Sequence, residues 1–204
     1  MTIVILDYGM GNIGALTKMF NRLGHDARVS NSRSDIENAS HLVLPGVGSF
    51  SRAVHKINEI KNFRSMLNEV VLGKQTPILG ICLGMQLLFS SSEEGTGEGL
   101  GWLPGHVRKF NSTEGIRVPH MGWNTVNPVI DHPLSKDLQE RARFYFVHSY
   151  YVQLSMKEHL VMTTGHGCEF ASVVAKNNVM GVQFHPEKSH KYGLKLLRNF
   201  VELC

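Results

Sequence analysis

In the first hundred residues, strand-like runs alternate with helix-spaced patterns, and that alternation leaves this chain very few architectures. Thr2–Asp7, Asp26–Ser30, His41–Leu44 and Pro77–Ile81 read as strands. Ile13–Leu23 places Leu16, Met19, Phe20 and Leu23 on one helical face, with Gly24 as its stop. Phe50–Leu72 reads as one helix, with Val54, Ile57, Ile60, Phe63, Leu67, Val70 and Val71 at helical spacing, and another helix begins in Gly84–Phe89. Strands that are apolar almost throughout are covered on both faces, and strand–helix alternation makes neighbours parallel. From about residue 100 onward the pattern changes to short β-like segments: Trp102–Phe110, Arg143–Val147, Tyr150–Leu154, Leu160–Thr164, Ser172–Ala175 and Val179–Phe184. Lys191–Leu203 closes the chain as a helix. The expected fold is therefore α/β, a mostly parallel central sheet flanked by helices on both faces, with an antiparallel extension, in a single domain over residues 1–204.

Composition narrows the function classes. The chain is 42% apolar and 19% charged, an ordinary globular mixture. Its net charge of +4 comes from scattered residues such as Arg22, Lys56, Arg108 and Lys195, so neither a nucleic-acid nor a membrane surface is indicated. No stretch approaches the ~20 apolar residues of a membrane span, and the first residues lack the basic region of a signal peptide. Three cysteines, Cys82, Cys168 and Cys204, lie far apart, which is neither a disulfide framework nor a zinc or redox pair. A reducing, cytoplasmic setting is expected. Cys168 and Cys204 read as inert packing thiols.

Glycine, at 20 residues, is the unusual component, and it clusters in loops after the strands. Gly9-Met10-Gly11-Asn12-Ile13-Gly14 matches the dinucleotide spacing G-x-G-x-x-G, but the second strand ends at Val29-Ser30-Asn31 without the acidic residue that holds a ribose, which favours a tight turn over a nucleotide site. Pro45-Gly46-Val47-Gly48 lacks the Lys-Ser/Thr of a phosphate loop; it is either a plain strand-to-helix turn or a loop whose N–H groups face an oxyanion. Gly80-Ile81-Cys82-Leu83-Gly84 frames a cysteine with small residues two places to either side, the pattern of a nucleophile elbow. Such a turn pushes the sulfur out at the C-terminal edge of the sheet, where open α/β sheets bind ligands. A thiol nucleophile needs a base and the base an orienting group. His185-Pro186-Glu187 follows a strand, and Glu187 stands two residues on to hold the imidazole. Alone this is a solvated turn; beside a cysteine elbow, Cys82, His185 and Glu187 read as a triad. Neither the spacing nor the neighbours of His185 and His190 fit zinc, and no metal or cofactor is expected.

Pro45-Gly46-Val47-Gly48, Gly80-Ile81-Cys82-Leu83-Gly84-Met85-Gln86 and His185-Pro186-Glu187 together resemble the class I (triad-type) glutamine amidotransferases, whose fold is flavodoxin-like. Asp7 to Asn12, Pro119 to Asn124, Tyr145 to Tyr150 and Gln183 to Ser189 are similar to the glutaminase subunits of imidazole glycerol phosphate synthases, and the resemblance spans nearly the whole chain. It implies hydrolysis of L-glutamine to L-glutamate and ammonia by Cys82, His185 and Glu187 through a glutamyl thioester, with the oxyanion held near Val47, Gly48 and Leu83. It further implies that Gly46, Gln86, Glu94, His148, Ser149 and Tyr150 bind glutamine. Asn12, Pro119, Met121, Trp123 and Lys188 would face a cyclase subunit of (β/α)₈-barrel type in a heterodimer, which receives the ammonia in histidine biosynthesis. Low activity until that partner is bound and loaded is also implied, and Pro45–Ser49 is the expected switch, because a glycine-rich peptide can flip to present or withdraw an oxyanion donor. Ser91 to Gly95, Gly99 to Trp102 and Lys188 to Gly193 also resemble paralogues that supply ammonia to a sugar-modifying synthetase in surface-polysaccharide biosynthesis.

Overall fold

A computed structural model describes residues 2–112, 116–138 and 141–204. The chain runs β1 (Ile3–Leu6), α1 (Ile13–Arg22), β2 (Ala27–Ser30), α2 (Arg33–Glu37), β3 (His41–Leu44), α3 (Phe50–Glu59), α4 (Phe63–Asn68), β4 (Ile78–Ile81) and α5 (Leu83–Gln86). It continues through β5 (Gly105–Lys109), β6 (His120–Thr125), β7 (Asn127–Pro128), β8 (Arg143–His148), β9 (Tyr150–Leu154), β10 (Leu160–His166), β11 (Cys168–Lys176) and β12 (Val179–Val182) to α6 (His190–Leu203).

The main sheet has the order β2-β1-β3-β4-β12-β11-β10-β7, with β9 on β11 and β5 on β9. Neighbours from β2 to β12 are parallel, and everything beyond β12 is antiparallel. This is the expected α/β fold with its antiparallel extension. Side chains of a strand alternate between faces, so each apolar strand feeds two cores. Val4 and Leu6 join Leu42, Leu44, Ile57 and Phe63 on one side. Ile3 and Ile5 join Val43, Leu16, Phe20, Leu197 and Phe200 on the other. Helices α3 and α4 thus cover one face and α1 and α6 the opposite one. Among the described residues, no helix is long and apolar enough to cross a membrane.

Two expectations need correction, and one motif gains a conformation. Phe50–Leu72 is not one helix: Ile60 turns extended at ψ 116° and Asn62 adopts a left-handed φ of 60°, which asparagine tolerates better than most residues, so α3 ends and α4 starts afresh. Strand β6, which the sequence pattern leaves as a motif without an assigned conformation, pairs with β8 in a separate two-stranded sheet from His120↔His148 to Thr125↔Arg143. Cys168 is exposed rather than packed; Cys204 is partly buried, and burial pushes its thiol up to about 11.

Candidate active site

Cys82 joins β4 to α5 with φ 55° and ψ −109°, a backbone that side chains rarely adopt. Glycines permit it. A Cβ on Gly80 would stand 2.6 Å from the Gly84 carbonyl oxygen, and one on Gly46 2.7 Å from the Gly84 nitrogen. One on Gly84 would collide with the Leu44 carbonyl oxygen. All are backbone atoms with nowhere to retreat, so the loops after β3 and β4 lie together only because these positions carry hydrogen.

The neighbouring strand delivers the partner group. β12 runs parallel to β4, with Val182 opposite Ile81, so the residues after both strands emerge at one edge. The His185 N–H donates to the Tyr145 carbonyl at 2.9 Å, and the His185 carbonyl accepts from the Ser189 hydroxyl at 2.6 Å. The same hydroxyl accepts the Tyr145 N–H at 3.0 Å, which ties this turn to β8. Imidazole Nδ1 lies 2.8 Å from Glu187 Oε1, with both side chains buried. That leaves Nε2 as the ring atom available to Cys82, whose sulfur acts on the imidazole. Burial disfavours the imidazolium, but the hydrogen bonds and negative charges of Cys82 and Glu187 outweigh it and hold His185 up to about 10. Burial also pushes the Tyr8 phenol up, and the charge of Cys82 adds to this.

A cavity of about 310 Å³ opens beside the sulfur, bordered by Val47, Gly48, Cys82, Leu83, Gln86, Glu94, Val147, His148, Ser149, Tyr150, His185 and Lys188. Most residues singled out from the sequence therefore meet in one place. Gly46 does not border the cavity; its role here is the close approach of the loop to α5. Gln86 is only 4% exposed and its amide already donates to the Tyr150 carbonyl and to Gln183 Oε1, each at 3.1 Å. Glu94 accepts the Phe50 N–H at 2.8 Å at the start of α3, and burial raises its carboxyl.

The Gly9–Gly14 turn packs on the second glycine loop. A Cβ on Gly11 would lie 2.7 Å from the Pro45 side chain, and the Tyr8 hydroxyl donates to the Pro45 carbonyl. Asn12 and Pro119 are exposed, as are Met121 at 62% and Trp123 at 40%. Pro119, Met121 and Trp123 border a second cavity of about 830 Å³ with His120, Asn124 and His166. The exposed Lys188 extends its ammonium over the Tyr145 ring, 5.5 Å from the centroid. Gln183 received no role from the sequence, yet its amide N–H points at the Cys82 sulfur from 3.7 Å. Its signal was a polar side chain inside the apolar run Val182-Gln183-Phe184.

Residues 4–204 match the family model described as glutamine amidotransferase class-I. The chain is 48% identical over 200 residues to imidazole glycerol phosphate synthase subunit HisH 2 of Methanococcus maripaludis, covering 98% of each chain. It is 45% identical over 201 residues to the subunit of the same name from Pseudomonas aeruginosa, covering 98% of this chain and 99% of that one. Among solved structures, a glutamine amidotransferase from Thermotoga maritima shares the fold at a TM-score of 0.69 and 19% identity, over 98% of this chain and 96% of that one.

Proposed function

Because the chain belongs to the class-I glutamine amidotransferase family, we propose that it is the glutaminase subunit of an imidazole glycerol phosphate synthase. All of residues 1–204 would form one glutaminase domain working in the reducing cytoplasm, which suits three free cysteines. The observation that carries the chemistry is the strained Cys82 elbow, aimed at a buried imidazole that a carboxylate holds 2.8 Å away.

In this reading the Cys82 thiol gives its proton to His185 Nε2, and the resulting thiolate attacks the side-chain amide carbon of glutamine. The tetrahedral oxyanion lies between the N–H groups of Val47, Gly48 and Leu83, which border the cavity. As the C–N bond breaks, His185 returns the proton to the leaving nitrogen and ammonia departs. Water, deprotonated by His185, then opens the thioester to glutamate. Glu187 fixes the tautomer and stabilises the imidazolium. Glu94 is the carboxylate in reach of the substrate α-amino group, with Gln86, His148, Ser149 and Tyr150 lining the remaining wall.

The ammonia acceptor is a second chain, a (β/α)₈-barrel cyclase of histidine biosynthesis, docked on Asn12, Pro119, Met121, Trp123 and Lys188 as a heterodimer. Exposed apolar residues at Met121 and Trp123 support that face. The Pro45–Ser49 loop, with Gly48 at φ 104°, would present or withdraw an oxyanion donor when the partner is loaded.

The test is glutamate release from glutamine, with the cyclase and its ribulosyl nucleotide substrate present. Strong stimulation by the loaded cyclase and complete loss in Cys82→Ala are expected. Activity surviving in Cys82→Ala would overturn the mechanism, and no response to the cyclase would move the acceptor to a sugar-modifying synthetase.

A further inference from the structure

Two chains of hydrogen bonds end on one backbone carbonyl, that of Tyr150, and their directions can be deduced from it. His148 is buried, and burial holds its imidazole down to about 3, so the ring is neutral. Its Nδ1 lies 2.8 Å from the Tyr150 carbonyl oxygen, which only accepts, so Nδ1 carries the proton and Nε2 is an acceptor. Nε2 stands 3.0 Å from His120 Nδ1, which must donate. His120, also held down by burial, to about 4, then has a bare Nε2, and Asn124 Nδ2 donates to it at 3.1 Å. Every donor in this branch points from Asn124 toward Tyr150.

The second branch leaves the same carbonyl toward the nucleophile. Gln86 must turn its NH₂ toward the Tyr150 oxygen at 3.1 Å, and the same nitrogen faces Gln183 Oε1 at 3.1 Å. With its oxygen so engaged, Gln183 has only its NH₂ end left for Cys82 Sγ, 3.7 Å away. Gln183 is fully buried, so no water competes for that donor.

We propose that Gln183 is the hydrogen-bond donor that favours the anionic Cys82 sulfur, and that the Asn124–His120–His148 branch sets its aim from the strand whose outer face carries Met121 and Trp123. Residues of a strand alternate between faces, so His120 and Asn124 point inward where Met121 and Trp123 point outward. Pressure on the outer pair shifts the inner pair and, through the shared carbonyl, the Gln86–Gln183 arm. The coupling part rests on the partner-facing role proposed above for β6; the donor part requires only that Cys82 is ionised.

The experiment reads the sulfur directly and needs no glutamine, so it fails independently of the glutaminase reading. In a Cys168→Ser, Cys204→Ser background only Cys82 reacts with iodoacetamide, and the pH midpoint of its alkylation is measured. The other titratable groups facing the sulfur or its cavity, His185 with Glu187, Tyr8, His148, Tyr150, Glu94 and Lys188, stay in place. Gln183→Met fills similar volume without a donor, and it is expected to raise the midpoint by about one unit, a tenfold shift toward thiol. His120→Phe is expected to raise it by about half a unit and to add nothing in the double variant, because both changes break one network. An unchanged midpoint in folded Gln183→Met overturns the donor role, and additive shifts overturn the shared aim. If Gln183→Met does not fold, Gln86→Met leaves the donor in place but unaimed, with the same expectation and the same refuting result.

Discussion

Replacing Glu187 by Gln tests the triad at its least accessible point. The Glu187 side chain is 1% exposed and bonds His185 through one oxygen, so Gln keeps the shape and removes the charge. The rise of His185 from 6.5 to about 10 corresponds to roughly 5 kcal/mol of preference for the imidazolium. Cys82 and Glu187 both contribute to that rise, and a loss of order 2–3 kcal/mol with the Glu187 charge would lower the share of the attacking thiolate–imidazolium pair about 30- to 200-fold. A second loss comes from orientation. Among the described residues Glu187 Oε2 is buried without a hydrogen-bond partner, so none of them selects which end of an amide faces the ring. Where the amide nitrogen faces it, Nδ1 must accept, the ring proton moves to Nε2, and His185 no longer takes a proton from Cys82. A wrong tautomer in a serine protease triad lowers kcat about 10⁴-fold. The expected fall in kcat/KM for glutamate release by the stimulated complex is therefore between about 10² and about 10⁴. Stability should follow the same proton. A raised imidazole contributes fully below its unfolded value of 6.5 and loses that contribution as pH climbs through about 10. The variant should thus be least stable relative to the parent near pH 6 and approach it by about pH 10, as thermal unfolding will show. Activity within about threefold of the parent would refute the reasoning, because neither the charge nor the tautomer would then matter.

Gly84→Ala should destabilise the fold by about 3 kcal/mol, because the new methyl meets the Leu44 carbonyl, and lower Tm by about 6–12 °C. Gly14→Ala, inside α1 with nothing within 4 Å of the added carbon, should instead raise Tm by a few degrees at about 0.5–1 kcal/mol. Trp123→Ala should leave unfolding within about 1 kcal/mol of the parent, and the docking face proposed above predicts at least tenfold weaker cyclase binding by calorimetry, since large aromatics often carry much of an interface's energy. Acid should destabilise through the buried imidazoles: His120 and His148 stay neutral down to about 4 and about 3, while their unfolded counterparts charge below 6.5. Stability is then present above pH 6.5 and falls as pH drops toward 4, and His120→Phe should flatten that slope by up to about 1.4 kcal/mol per pH unit.

The parts of the molecule legible in its sequence were those written in local chemistry. Apolar runs ending in glycine announced the parallel strands, and Gly80 and Gly84 announced the elbow, because a residue at φ 55° between close-packed backbones demands them. Less legible was whatever depended on register between distant segments. The break at Asn62 is hidden because Ile60 and Phe63 keep helical spacing across it. Strand β6 carries Gly122 and Asn124, poor strand formers, and owes its conformation to six paired residues of β8 more than to its own composition. Gln183 illustrates the limit most clearly. Its neighbour His185 is readable as a base because a carboxylate follows two residues later, whereas the partners of Gln183 lie 97 and 101 positions away, at Gln86 and Cys82. A polar side chain in an apolar strand signals only that some partner exists, since burying an amide unpaired costs about 1–3 kcal/mol. Which partner it has depends on the parallel pairing of β4 with β12, and the direction of the resulting hydrogen bond depends on a carbonyl in β9 that neither glutamine adjoins in sequence.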